Sequence, residues 1–70
     1  MDKEINTLTE LNLGIKYYVN RMKYYEEKEL TFHGYKLALL EEKAAHEVEI
    51  CAASLRRLAL RKEKLLMLLN

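Results

Sequence analysis

The fold of this protein is decided by residues 35–69, YKLALLEEKAAHEVEICAASLRRLALRKEKLLMLL, which contain neither proline nor glycine. Apolar residues recur through this stretch at alternating steps of three and four, the spacing of a coiled-coil seam. The spacing predicts a helix over 35–69, much longer than the ~11–12 residues of an average globular helix. The seam consists of Leu37, Ala44, Val48, Cys51, Leu55, Leu58, Leu65 and Leu69, and Glu41 and Lys62 interrupt it.

The first half of the chain supplies the helix that this seam needs as a neighbour. Apolar residues keep one face from Leu8 to Phe32, which predicts a helix over about 3–31. Gly14 lies within it, and we favour a helix that continues through this glycine, although a helix that ends there also fits the pattern.

A turn is predicted over about 31–35, with Gly34 in the left-handed conformation that ends many helices. Thr31 is the best candidate for a cap of the helix that follows. Short connections place consecutive helices side by side and antiparallel. The sequence therefore predicts a single all-α domain over residues 1–70, an antiparallel helical hairpin with a long second helix.

The size of the chain predicts self-association. A domain this small has a thin core and usually needs disulfides, a metal or a partner. Cys51 is the single cysteine, which excludes a disulfide within the chain. Apolar residues also lie off the seam, as is typical of a helix held between several neighbours. We expect a homodimer or higher oligomer that forms a helical bundle, with a dimer interface made of Leu37, Ala44, Val48, Cys51, Leu55, Leu58 and Leu65.

The charge pattern argues against some classes of partner. The formal net charge is only +1, so we expect neither nucleic acid nor an anionic membrane as a partner. No export signal and no run of ~20 apolar residues is present, which indicates a cytoplasmic protein. Acids dominate residues 34–49 and bases dominate the chain from residue 50 onward. This polarity favours antiparallel pairing of two such helices.

The tyrosines are the candidate surface for an unidentified protein partner. Tyr17, Arg21 and Tyr24 share one helix face, and aromatic residues around an arginine are typical of binding hot spots. The alternative, which helical spacing favours, is that Tyr18 and Tyr25 belong to the core while Tyr17 and Tyr24 cover it.

Two further patterns are candidates for ligand sites. Arg57, Arg61 and Lys64 form a basic stripe that suits phosphates of RNA or DNA, but a solvated face paired with glutamates is favoured. The face formed by 42, 46 and 49 carries Glu, His and Glu, but the Glu-x-x-His spacing of bundle metal sites is absent. We expect no metal, no cofactor and no catalytic residues.

Part of the chain resembles the C-terminal helical dimerisation region of MerR-family transcription regulators. The likeness covers 13–69 and rests on Ile15-Lys16-Tyr17-Tyr18-Val19, Tyr25, Thr31, Leu37-Ala38-Leu39-Leu40-Glu41-Glu42, Val48, Leu55, Leu58 and Lys62. The resemblance implies a long dimerisation helix that pairs antiparallel with its twin. The winged DNA-binding domain of the family has no counterpart here, so the resemblance implies a dimerisation arm without a DNA head.

Three functions follow as hypotheses. The first is a non-enzymatic interaction module that dimerises through its helices and acts as a small regulator or adaptor, including a headless regulator arm. The second is a small inhibitor from a mobile element that binds a host enzyme or regulator. The third is an RNA-binding helical-hairpin dimer.

Overall fold

Two long helices joined by a three-residue turn make up the protein, as a computed structural model describes it for residues 2–69. Helix α1 runs over Asp2–Gly34 and helix α2 over Ala38–Leu69. At 1.5 Å per residue each helix is about 50 Å long, which matches the 52 Å longest dimension of the chain. The helices therefore lie side by side along their whole length, and the predicted all-α antiparallel hairpin is confirmed.

Helix α1 passes through Gly14 without a break. A Cβ atom added at Gly14 would lie 3.2 Å from Cδ1 of Leu58 in α2. The missing side chain thus allows the two helices to approach each other closely near the open end of the hairpin. This packing role explains a glycine inside a helix, where it costs about 1 kcal/mol relative to alanine.

The turn lies further along the chain than predicted, at residues 35–37. The prediction that Gly34 adopts the left-handed conformation is wrong: Gly34 ends α1 with an ordinary φ, and Lys36 has the positive φ of 59°. The N–H of Lys36 donates to the carbonyl of His33 at 3.0 Å, and the N–H of Leu37 donates to the carbonyl of Phe32 at 2.8 Å. These two bonds define a Schellman motif centred on Lys36.

Thr31 does not cap α2, contrary to the prediction. Its hydroxyl donates to the carbonyl of Glu27 at 2.9 Å inside α1, so the side chain is satisfied without ending the helix. The first bond of α2 runs instead from the N–H of Glu41 to the carbonyl of Leu37 at 2.9 Å.

The core between the helices is thin. Within residues 2–69 the buried side chains are Leu11, Ala44, Cys51 and Ser54. Large apolar side chains remain exposed on several sides of the hairpin, among them Leu13, Leu39, Leu60 and Leu68. Neither helix carries an apolar stretch long enough to cross a membrane.

Candidate interaction surfaces

The predicted dimer seam of α2 is largely used within the chain. Ala44 and Cys51 are only 4% and 1% exposed, and Val48 is half-buried. Leu37, by contrast, lies in the turn and is 44% exposed. The other seam residues proposed for the interface are half-buried, namely Leu55, Leu58 and Leu65. A role of this set in pairing with a second copy stays a prediction.

Of the three candidate partner-binding residues on α1, Tyr17 and Arg21 are in direct contact, and Tyr24 is linked to Arg21 only through the ring of Tyr25. Arg21 donates from Nη1 to the hydroxyl of Tyr17 at 3.3 Å and from Nη2 to the hydroxyl of Tyr25 at 3.4 Å. Its guanidinium also lies 5.3 Å from the centre of the Tyr25 ring. Across the helix pair, Nη2 is 3.9 Å from Oε2 of Glu47 in α2. Arg21 therefore contacts residues of both helices.

Each tyrosine pair combines one half-buried ring with one exposed ring. Tyr18 and Tyr25 are half-buried, whereas Tyr17 and Tyr24 are 55% and 54% exposed. Each exposed ring stands edge-on to its half-buried neighbour, with centroids 5.1 Å and 5.2 Å apart. The exposed rings thus contact the half-buried rings. A tyrosine ring presents aromatic surface to a partner at a low cost in side-chain entropy.

The tyrosine hydroxyls favour the charged form of Arg21. The Tyr17 hydroxyl, and then that of Tyr25, raises the pKa of the Arg21 guanidinium above its ordinary value. Lys28 adds a second cation, with Nζ 5.4 Å from the centre of the Tyr24 ring. Tyrosine rings flanked by cations form a surface suited to carboxylates and other aromatic groups.

Helix α2 contributes residues to this surface that the sequence did not predict. A groove between the helices brings Lys43 and Glu47 beside Tyr24 and Lys28. The sequence places Lys43 and Glu47 four residues apart, on one face of α2. That this face lies beside Tyr24 depends on the register between the two helices, which the sequence pattern does not give. The complete lining of the groove is Tyr24, Tyr25, Lys28, Phe32, Leu40, Lys43, Ala44 and Glu47.

The basic stripe of α2 lies next to α1 toward the open end of the hairpin. Arg57 and Arg61 line a small groove with Tyr18, and Arg57 Nη2 donates to Oγ of Ser54 at 3.5 Å. Lys64 is exposed and does not line this groove. Nucleic-acid binding by these three residues stays a prediction.

The groove beside Tyr24 and the groove beside Tyr18 lie on one side of the hairpin, which we call the basic flank. It is formed by Tyr17, Arg21, Tyr24, Lys28, Lys43, Glu47, Arg57 and Arg61.

The Glu–His–Glu face of α2 lies over an open surface depression. Glu42, His46 and Glu49 line it together with Leu39 and Lys43. Across residues 2–69, no three His, Cys, Asp or Glu side chains are grouped closely enough to hold a metal ion.

A contact between His33 and Glu41, which the sequence did not predict, bridges the turn. Nδ1 of His33 lies 2.9 Å from Oε1 of Glu41, and this pair lines a groove with Glu26 and Leu30. The contact ties the end of α1 to the first turn of α2, where a negative charge is favourable to the helix dipole.

Comparison with known proteins identifies no relative of this chain. No protein-family model, no curated protein and no solved structure matches the chain. The resemblance to the MerR dimerisation region stays a prediction.

Proposed function

We propose that this chain is a non-enzymatic protein-interaction module that pairs with a second copy of itself and acts as a small cytoplasmic regulator or adaptor. The cytoplasm keeps a lone thiol such as that of Cys51 reduced. On this proposal the hairpin is half of a helical bundle, and its exposed side chains, rather than a catalytic centre, carry its function.

The observation that supports the proposal is the excess of exposed surface. The chain exposes 5789 Å², whereas a compact monomer of its 8.3 kDa exposes about 4,600 Å². The radius of gyration is 15.8 Å, against about 11 Å for a compact domain of the same length. The difference in area, roughly 1,200 Å², is more than the about 800 Å² that each partner buries in a standard interface. A second hairpin is large enough to cover it.

The test is the molar mass in solution. Light scattering behind size exclusion, over a hundredfold range of protein concentration, should give twice 8.3 kDa or a higher multiple. Circular dichroism on the same samples should show constant helix content. A monomer at every concentration that keeps its helix would refute the proposal.

A second candidate function is supported by the tyrosine–arginine network. We propose, as the alternative, an inhibitor that docks Tyr17, Arg21 and Tyr24 on a host enzyme or regulator. Exposed tyrosine rings beside an arginine are typical of binding hot spots, which are enriched in these residue types.

The alternative has its own test. Tyr17→Ala and Tyr24→Ala should each abolish capture of a host protein without loss of helix content. Tyr35→Ala is the matched control, because this ring is 75% exposed but lies in the turn, away from the network. Capture that survives both network substitutions would eliminate this function.

A further inference from the structure

The groove beside Tyr24 has accessible apolar walls. Its apolar part consists of the rings of Tyr24 and Phe32 and the side chain of Leu40. Tyr24 and Leu40 are 54% and 42% exposed, and Phe32 is half-buried. The two helices thus leave aromatic and aliphatic surface open to another molecule along the line where they meet.

Two lysines, one from each helix, line the same groove. Lys28 of α1 and Lys43 of α2 are both exposed. Within residues 2–69, no carboxylate lies within ion-pair distance of either ammonium group. Lys28 lies instead over the ring of Tyr24, with Nζ 5.4 Å from the ring centre. Both cations are therefore available to a carboxylate from outside the chain.

The acids near these lysines do not neutralise the groove. Glu47 is the one acid among the described residues that line it, and Oε2 of Glu47 lies 3.9 Å from Nη2 of Arg21. Three other acids, Glu27, Glu29 and Glu42, are sequence neighbours of the lysines, but none of them lines the groove. Because the charge of Glu47 is balanced by Arg21, the groove has an excess of positive charge.

The shape of the groove suits a single large side chain. Its volume is about 320 Å³, and it is open to solvent. Small-molecule sites of about 300–1,000 Å³ bury most of the ligand surface, which an open groove of this size does not do. A side chain that anchors a longer peptide needs less enclosure, because residues on either side of it add contacts at the rim.

We infer that this groove binds an acidic peptide segment of a partner protein, with an aromatic side chain against Tyr24 and carboxylates beside Lys28 and Lys43. The inference rests on the proposed protein-interaction function and adds the binding site and the chemistry of the partner. The unpaired ammonium groups match the charge of the peptide, and ring contacts match its aromatic residue. Nucleic acid fits less well, because a carboxylate also lines the groove and would repel phosphates.

The first experiment uses a synthetic peptide as the probe. It is capped at both ends and contains one phenylalanine with two aspartates on either side. Amide chemical shifts of the full chain are followed as the peptide is added to millimolar concentration, and the largest changes should lie near Tyr24, Lys28 and Lys43. Lysines in place of the aspartates should weaken binding at least about tenfold, because like charges then meet. Alanine in place of the phenylalanine should weaken it several-fold.

The second experiment changes the groove. Lys28→Glu combined with Lys43→Glu should weaken binding of the acidic peptide at least about tenfold, since each change replaces an attraction by a repulsion. Lys23→Glu combined with Lys64→Glu is the matched control, because both lysines are exposed and lie outside the groove, one on each helix. This control changes the net charge equally and should alter the dissociation constant by less than about twofold, because distant exposed charges are screened.

Circular dichroism verifies that both variants keep their helix content. If the groove variant loses helix, Lys28→Gln combined with Lys43→Gln takes its place, because glutamine removes the charge without introducing repulsion. It should weaken binding several-fold.

Four results would overturn the inference. The acidic peptide could fail to bind at millimolar concentration, or the groove variant and its control could weaken binding equally. A single-stranded DNA oligonucleotide that shifts the same resonances at lower concentration than the peptide would make nucleic acid the occupant. Shifts of these resonances on dilution of the protein alone would make a second copy the occupant.

Light scattering on the same samples separates this inference from the proposed self-pairing. A monomer that binds the acidic peptide refutes self-pairing and keeps the inference. A dimer that does not bind the peptide overturns the inference and leaves self-pairing standing.

Discussion

Gly14 of α1 lies directly against Leu58 of α2, with the position of an added Cβ only 3.2 Å from Cδ1 of the leucine. The corresponding position at Gly34 has nothing within 4 Å. The two glycines therefore differ in physical role: the first allows close packing of the helices, and the second merely ends α1.

The same substitution should change the free energy of unfolding differently at the two glycines. We expect Gly14→Leu to lower the free energy of unfolding by about 1–2 kcal/mol, since overpacking costs ~1–3 and the gain in helix propensity returns up to ~1. Gly34→Leu should leave it unchanged or raise it slightly. Urea titrations at one fixed protein concentration measure both changes. Equal effects at the two positions would contradict the assigned packing role of Gly14.

The left-handed residue of the turn gives a second prediction. Lys36 has a φ of 59°, a conformation that costs a side chain with a Cβ about 1–2 kcal/mol. Lys36→Gly should therefore stabilise the hairpin by about 0.5–1 kcal/mol, after the added freedom of glycine in the unfolded chain is subtracted.

Lys36→Ala is the control for this substitution. It removes the same charge but keeps the Cβ, so it should give no stabilisation in thermal or urea unfolding. A gain as large as that of glycine would assign the effect to charge and not to backbone conformation.

Replacing a leucine of α2 by aspartate should have different effects on helix content at a half-buried position and at an exposed position. Leu58 is half-buried against Gly14, whereas Leu60, two residues further along α2, is 57% exposed. Leu58→Asp should cost about 2–5 kcal/mol and remove much of the helical circular dichroism, because it buries an unpaired carboxylate in the hairpin. Leu60→Asp should keep the helix content. A Leu58→Asp chain with unchanged helix content would mean that α1 does not depend on this contact.

The single thiol reports on the integrity of the hairpin. Cys51 is 1% exposed, so in native conditions it should react with a thiol reagent at least about a hundredfold more slowly than in urea, because reaction requires the helices to separate. Leu60→Cys in a Cys51→Ala background should react rapidly in the native protein, because position 60 is 57% exposed. Rapid modification of Cys51 in the wild-type chain would show that the two helices separate readily.

The sequence by itself determined the helices. Uninterrupted apolar spacing over 35–69 and the apolar face from Leu8 to Phe32 are local patterns, and a pattern with helical period suffices to predict a helix and its inner face. The absence of proline and the short connection were enough to predict an antiparallel hairpin. Even the burial of Ala44 and Cys51 follows from their positions on the seam.

Only the tertiary structure decided how that inner face is used and where the turn lies. Hydrogen bonds from Lys36 and Leu37 back to α1 close the turn after Gly34, a pattern that depends on backbone geometry and not on residue preference. The register between helices brings Glu47 to Arg21 and Glu41 to His33, pairs that lie 26 and 8 residues apart in the sequence. Helical periodicity assigns each residue a face on its own helix, but it carries no information on which faces of two helices meet. For this reason the sequence predicted both the first helix and a second copy as neighbours of the seam, whereas the structure shows α1 packed along α2 with Ala44 and Cys51 buried.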